Sequence, residues 1–331
     1  MIEVIDPGLA VAVQDSGRFG LRRFGVPVAG ALDRWLLGCA NLLVGNDPEA
    51  AALELLVGGP SLSAEAGPVS LALSGEVTAK RVAADGTISP VLPWRAFILS
   101  PGEILRVSAP RRGVGYLAIS GGTPTEELLS SRATYRRAGL GRFLAKGDRL
   151  GCSAPGPLRQ GTPWSYEDGP IRLLAGPQDD HFKKESLEAL ESGSFTVGPA
   201  SDRMGLRLSG PLLHHNRKGA EIPTDGVVPG ALQVPGDGQP ILLLADGQTT
   251  GGYAKIATAI SADLPRLGHV RPGDSLRFKL IDRDEARKAL IRRQADFARW
   301  RGALTAAGGE IDQAALYRAN LISGAVTGKD E

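Results

Sequence analysis

Residues 248–255, QTTGGYAK, gather two Thr hydroxyls, two adjacent glycines, a Tyr and a Lys just past Gly247 and the hydrophobic run ILLLAD (241–246). A buried strand ending at Ala245-Asp246 would deliver these residues as a loop at a sheet edge, where ligands commonly bind. Gly251 and Gly252 leave two backbone N–H groups unscreened, and successive N–H groups in a turn form an anion-binding concavity. Thr249 and Thr250 add hydroxyl donors and Lys255 adds a charge. Asp246 and Gln248 are placed to orient a polar substrate or to hold the Lys. A carboxylate, a carbamate-like group or a phosphate suits this set. The competing reading is a hydroxyl-rich turn with a surface Lys.

Two further stretches pair an acid with a base. SDRMG (201–205) sets Asp202 beside Arg203, whose guanidinium fork would suit a carboxylate. QDSGRFG (14–20) offers Asp15 and Arg18 in the same manner. In both, a turn-stabilising ion pair is the plainer alternative. His214-His215 has no third ligand spaced nearby, so no metal site is expected. Neither a G-x-x-x-x-G-K-[ST] phosphate loop, a G-x-G-x-x-G turn between strand and helix, nor a G-x-S-x-G elbow occurs. The only methionines are Met1 and Met204, so no Met-Lys-Met biotin-attachment sequence is present.

The elements that must position these residues read mostly as short strands. VSLALSG (69–75), FILSPGEILRVSA (97–109), GYLAIS (115–120), IRLLAG (171–176), PILLLAD (240–246) and DSLRFKLID (274–282) are the clearest. Pro101-Gly102, Gly147-Asp148 and Pro272-Gly273-Asp274 punctuate them as turns. Such spacing predicts barrels or sandwiches rather than a wound α/β sheet. Helical spacing appears at 31–44, and at 180–192 with acidic Asp179-Asp180 before it and Gly193 after. Asp282-x-x-Glu285 is a capping-box start for a tail in which Leu290, Phe297, Trp300 and Leu304 recur at helical spacing. A weaker helical segment is expected at about 311–325.

The stretch 155–170 is rich in Pro, Gly and polar residues and is the candidate linker. The sides of it are faintly alike: Arg18 aligns with Arg203, Gly20-Leu21-Arg22 with Gly205-Leu206-Arg207, and PVAGALD with VPGALQ. Duplication or chance in a Gly- and Arg-rich chain would each explain this. A net charge of +2 over 331 residues gives no general footprint for nucleic acid. No apolar run nears a membrane span, the start shows no signal peptide, and Cys39 and Cys152 form no framework. A cytoplasmic protein without a membrane partner is expected.

Together the motifs resemble the family of C-type 5-oxoprolinase subunits, also called allophanate hydrolase subunit 2 or biotin-dependent carboxyltransferase subdomains A and B. The stretches that carry the likeness include VQDSGRFGLRRFGVPVAGALD (13–33), SSRATYRRAGLG (130–141), SDRMGLRLSGP (201–211) and PGALQVPGDGQPILLLADGQTTGGYAKIATAI (229–260). It covers about residues 1–280. The resemblance implies a mainly β protein of two related cyclophilin-like β-barrel subdomains, 1–160 and 168–282, with a few helices and a helical C-terminal tail, 283–331. It implies one component of a hetero-oligomeric, ATP-dependent 5-oxoprolinase, a hydrolase on cyclic amide C–N bonds that opens 5-oxoproline to glutamate. Its expected partners are the A-type and the KipI-like B-type subunits of that enzyme, with ATP used by the complex and no site for it visible in this chain. Two alternatives come with the family. One is the carboxyltransferase component of a biotin-dependent carboxylase, with biotin as cofactor; the other is a non-catalytic antagonist of a KipI-like kinase inhibitor. On the enzymatic readings Lys255 is the electrostatic or acid–base group and Asp246 its orienter. Gln248, Thr249 and Thr250 clamp the substrate, with Gly251, Gly252 and Tyr253 around it. Arg203 meets a substrate carboxylate, with Asp15 and Arg18 in the first half. One departure is Ala254, where the family leads one to expect Pro before the Lys.

Overall fold

The computed structural model describes residues 1–307, so the helical segment expected at 311–325 lies outside the described residues. The chain is mainly β with few helices. Its first half builds two sheets. One is six-stranded, in the order Arg149–Leu150, Ile2–Asp6, Ser61–Ala64, Ile104–Val107, Ala79–Val82, Ile88–Val91. The other is five-stranded, in the order Ala12–Gln14, Ala52–Leu55, Gly115–Ile119, Val69–Ser74, Phe97–Leu99. Alternation explains why Val69–Ser74 is buried throughout. Val69, Leu71 and Leu73 join the core between the sheets, while Ala72 faces a helix on the other side. The run 97–109 is two strands, not one. Gly102 takes φ +83° at the Pro101-Gly102 turn and sends the chain from one sheet to the other.

The second half is an eight-stranded sheet, Ser275–Leu276, Phe195–Val197, Gly205–Ser209, Ile241–Leu243, Ala231–Gln233, Lys255–Ala259, Ile171–Ala175, Phe278–Leu280. Its first and last strands are consecutive in the chain, interrupted only at Arg277. The segment read as one strand, DSLRFKLID, therefore supplies both ends and nearly closes the barrel. Phe195 and Phe278 meet in its interior with rings 5.4 Å apart.

Helix α1, Arg34–Leu43, begins at Asp33, whose Oδ1 accepts from the N–H groups of Trp35 at 2.9 Å and Leu36 at 3.0 Å. Helix α2, Lys184–Ser192, starts later than its acidic signal; Asp179–His181 is a separate 3₁₀ turn broken from the helix by extended Phe182. Leu264–Leu267 is a single turn, α3. Helix α4, Arg283–Gly302, carries the expected capping box of Asp282 and Glu285. It docks on α1, where bare Gly38 leaves room for Phe297, and Trp300 is buried against Trp94. The candidate linker is tied down by this tail. Arg159–Gln160 pairs with Thr305–Ala306, and Trp164 and Tyr166 lie in the same aromatic cluster. The two stretches read as a repeat differ locally. Gly205 opens a strand, whereas Gly20 is a turn leading to the 3₁₀ segment Arg22–Phe24.

Candidate functional site around Lys255

Lys255 opens the strand Lys255–Ala259 and is 3% exposed. Its pairing with Ala231–Gln233 is irregular: Leu232 faces Ala257 but Gln233 faces Lys255. The extra residue, Ile256, makes a bulge, and bulges re-aim the side chain beside them. The bulge sets Lys255 and Gln233 opposite each other. The ammonium Nζ donates to Asp225 Oδ2 at 2.6 Å and to Gly226 O at 3.2 Å. Asp225 sits on the outlying ribbon formed by Glu221–Gly226 and Thr250–Tyr253, and its side chain is 55% exposed. The Lys255 bond, followed by the Gly226 N–H, holds the Asp225 carboxyl below the usual aspartate range. Gln178 stands beside the pair; its Oε1 accepts from the Lys255 N–H at 3.3 Å, and its side chain adds a smaller pull lowering the Asp225 pKa.

Two buried donors nearby have no partner among the described residues. Gln233, 1% exposed, accepts from Gln248 Nε2 at 3.1 Å through Oε1, which leaves its own Nε2 free. Arg22 reaches over from the first half, donating through Nη2 to Val227 O and to Gln248 O, the latter at 3.2 Å; its Nη1 has no acceptor. Burial lowers the Arg22 pKa. An ammonium, an amide N–H and a guanidinium N–H around residues 226–233 form a donor set suited to an anion or a polarised carbonyl oxygen.

QTTGGYAK is not a loop. Thr250–Tyr253 is a strand of the ribbon, paired antiparallel with Glu221–Gly226 across a register shift between Glu221 and Asp225. Neither Gly251 nor Gly252 has positive φ, so the expected concavity of successive N–H groups does not form. Gly251 serves another purpose. A Cβ there would lie 2.5 Å from Gln233 Nε2, so its bareness makes room for that free amide. Thr250 and Tyr253 lie exposed on the ribbon, and Thr249 holds Val227 through its backbone carbonyl. Ala254 ties the segment down: its N–H donates to Ala220 O at 2.8 Å, a bond proline could not make.

Nearness in sequence points to the wrong partners. Asp246 is not the orienter of Lys255. Both its oxygens accept from Arg203, at 3.0 and 2.9 Å, because the strand end carries it toward the interface between the halves. Nor is Arg203 free for a substrate carboxylate. Its guanidinium also donates to Glu54 and, at 2.6 Å, to Gly30 O, both in the first half. Burial opposes charging it, yet Glu54 and Asp246 outweigh that penalty and raise its pKa above the ordinary arginine value. Glu54 in turn accepts from Tyr116 Oη at 2.7 Å and from the Leu32 N–H at 2.9 Å. Asp15 and Arg18 do not converge on the Lys255 site. Asp15 accepts from Ser131 Oγ and the Arg132 N–H, and Arg18 donates to Leu128 O, so the pair ties down residues 128–132. His215 packs against Phe182 with the rings tilted and their centres 4.6 Å apart.

Gln233, Gln178, Asp225 and Arg22 were missed. Gln233 had a signal: it stands between Leu232 and Val234, a polar side chain within a hydrophobic strand. The other three lie in turns or on the exposed ribbon, and nothing in their local sequence links them to residue 255.

Two mostly separate β units, one a nearly closed barrel that aims a Lys through a bulge, define the class. The model of the carboxyltransferase domain, subdomain A and B, matches residues 24–280, and the chain belongs to that family. It is 35% identical over 311 residues to the C-type subunit of 5-oxoprolinase from Escherichia coli (strain K12), covering 91% of this chain and 98% of that one. It is 32% identical to the urea amidolyase of Lachancea kluyveri, covering 86% of this chain and 17% of the relative. The solved K. lactis urea amidolyase superposes with a TM-score of 0.80 at 27% identity, over 90% of this chain and 20% of that one.

Proposed function

We propose that this chain is the component of an ATP-dependent 5-oxoprolinase-type hydrolase that supplies the buried cation of the active site. The carrying observation is Lys255: an ammonium 3% exposed, beside an unpartnered amide N–H, whose only carboxylate partner among the described residues stands on an exposed ribbon. The near full-length likeness to a C-type 5-oxoprolinase subunit supports the substrate class. When a ring amide carbon is attacked, its oxygen gains negative charge. Lys255 Nζ and Gln233 Nε2 would stabilise that oxygen, and Arg22 Nη1 would add a third donor. Asp225 acts as the counter-ion that substrate displaces. The set does not fit ATP with its metal. The one carboxylate beside Lys255 is engaged with it, and the chain has no phosphate loop, so no step is assigned to ATP at this position. ATP and the remaining catalytic groups come from the partners, the A-type and the KipI-like B-type subunits.

The test is conversion of 5-oxoproline to glutamate with ATP, using this chain and its co-encoded partners, each omitted in turn. Loss of turnover when this chain is left out, and again with Lys255→Met, supports the reading. An assembled set with no such turnover favours the second reading, carboxyl transfer from carboxybiotin to an amide, which the likeness to the K. lactis urea amidolyase supports.

A further inference from the structure

A second polar site lies between the two halves, away from the lysine. A cavity of about 610 Å³ opens there, with walls that include Leu32, Leu56, Leu206, Leu244 and Val270. Such a volume suits an organic molecule of roughly drug size and far exceeds what a five-membered lactam fills. Gln14 lines it and is 1% exposed. Gln14 Nε2 donates to Thr134 O at 3.1 Å, which fixes the amide's orientation and leaves the buried Oε1 with no donor among the described residues. A buried acceptor without a partner costs free energy, and a ligand N–H or O–H would recover it. Glu54, Arg203 and Asp246 of this wall are already engaged, since Arg203 bonds both carboxylates.

Opposite charge gathers at the mouth. Arg136 and Arg137 are exposed on the 3₁₀ turn Arg136–Ala138 and line the same cavity. Arg136 lies over the Phe143 ring at 4.2 Å, which holds its guanidinium at the rim. Arg137 crosses to Asp202 of the other half at 3.4 Å, a surface pair that a stronger anion can replace. We propose that this cleft binds an amphipathic organic anion, with an N–H or O–H donor on Gln14 Oε1, an apolar body between the halves, and a phosphate or carboxylate on Arg136 and Arg137. This inference does not rest on the Lys255 reading, because binding is measured on this chain alone and without turnover.

Calorimetry on the full chain would use AMP as the phosphate probe and indole-3-acetate as the carboxylate probe. Adenosine, inorganic phosphate and 5-oxoproline serve as comparisons. Saturable binding of either organic anion is expected, and the tighter of the two identifies the source of the charge. Arg136→Glu with Arg137→Glu should weaken it tenfold or more, while leaving adenosine unchanged and the melting temperature in place. Gln14→Met should weaken both the anion and its uncharged counterpart. Three results would overturn the proposal: no binding of either anion at millimolar concentration, inorganic phosphate binding as tightly as the organic anions, or 5-oxoproline binding in preference to both.

Discussion

Arg203 and Lys255, two cations of the second half largely withdrawn from solvent, are held in opposite ways. Arg203 is ringed by two carboxylates and a carbonyl from three segments, all of them buried or half-buried. It joins the second half to the first. Lys255 has one carboxylate, on an exposed two-stranded ribbon, and one carbonyl. A guanidinium whose three nitrogens all bond protein acceptors is a structural group; an ammonium with a displaceable counter-ion is free to do chemistry. A cation in a motif therefore says little until its partners are counted.

The comparison breaks most visibly at Arg203. Arg203→Met leaves buried Glu54 and half-buried Asp246 without a counter-charge, and loss of one partner from a buried pair costs about 3–5 kcal/mol. Urea unfolding should show a loss of that order, with Glu54→Gln added in the same chain recovering part of it. A stable Arg203→Met protein with reduced substrate affinity would instead restore Arg203 as a substrate group. Lys255→Met should do the reverse. Turnover of the assembled complex falls about 10²–10³-fold, the range for removing one donor to an oxyanion, while the melting curve of the chain barely moves. Equal loss of folding in both variants would erase the distinction.

A smaller effect separates the adjacent glycines. Gly251→Ala puts a Cβ 2.5 Å from Gln233 Nε2, whereas at Gly252 the nearest atom, Ile222 O, lies at 3.6 Å. Turnover should fall about tenfold with the first, the worth of one displaced hydrogen bond, and stay near normal with the second. Similar behaviour of the two variants would mean that Gln233 takes no part.

Local pattern made much of this architecture legible. The strands at 69–74 and 115–119, the Asp282–Glu285 cap and the docking of Phe297 and Trp300 follow from alternation, capping chemistry and helical spacing. The segment ending at Lys255 also stood out, because so many donors after a buried strand need a reason. Its geometry was not. A one-residue bulge at Ile256 decides where Lys255 points, and pairing register is a property of two distant strands. Asp246 was given to Lys255 because it is near in sequence, and the fold gave it to Arg203. Asp225 and Arg22 reach the site from other segments, so only tertiary structure brings them in.

The smallest effect, and the one that tests the displaceable counter-ion directly, is at Asp225. Its carboxyl pKa is depressed chiefly by the Lys255 bond, so its contribution to stability is present above the ordinary aspartate value of about 3.9. That contribution is lost as pH falls through the lower, folded-state value. Asp225→Asn should therefore melt slightly below the parent protein at pH 7, and the gap should close as the solution is taken below the ordinary aspartate range. Because the carboxylate is exposed, solvent screens the pair, and the gap should also shrink as salt is raised. Turnover at pH 7 should fall far less than with Lys255→Met, since substrate must displace Asp225 in any case. If Asp225→Asn abolishes turnover as fully as Lys255→Met, Asp225 is part of the chemistry rather than a counter-ion that leaves. Lys255 would then be held as firmly as Arg203, with the ribbon completing the site instead of covering it.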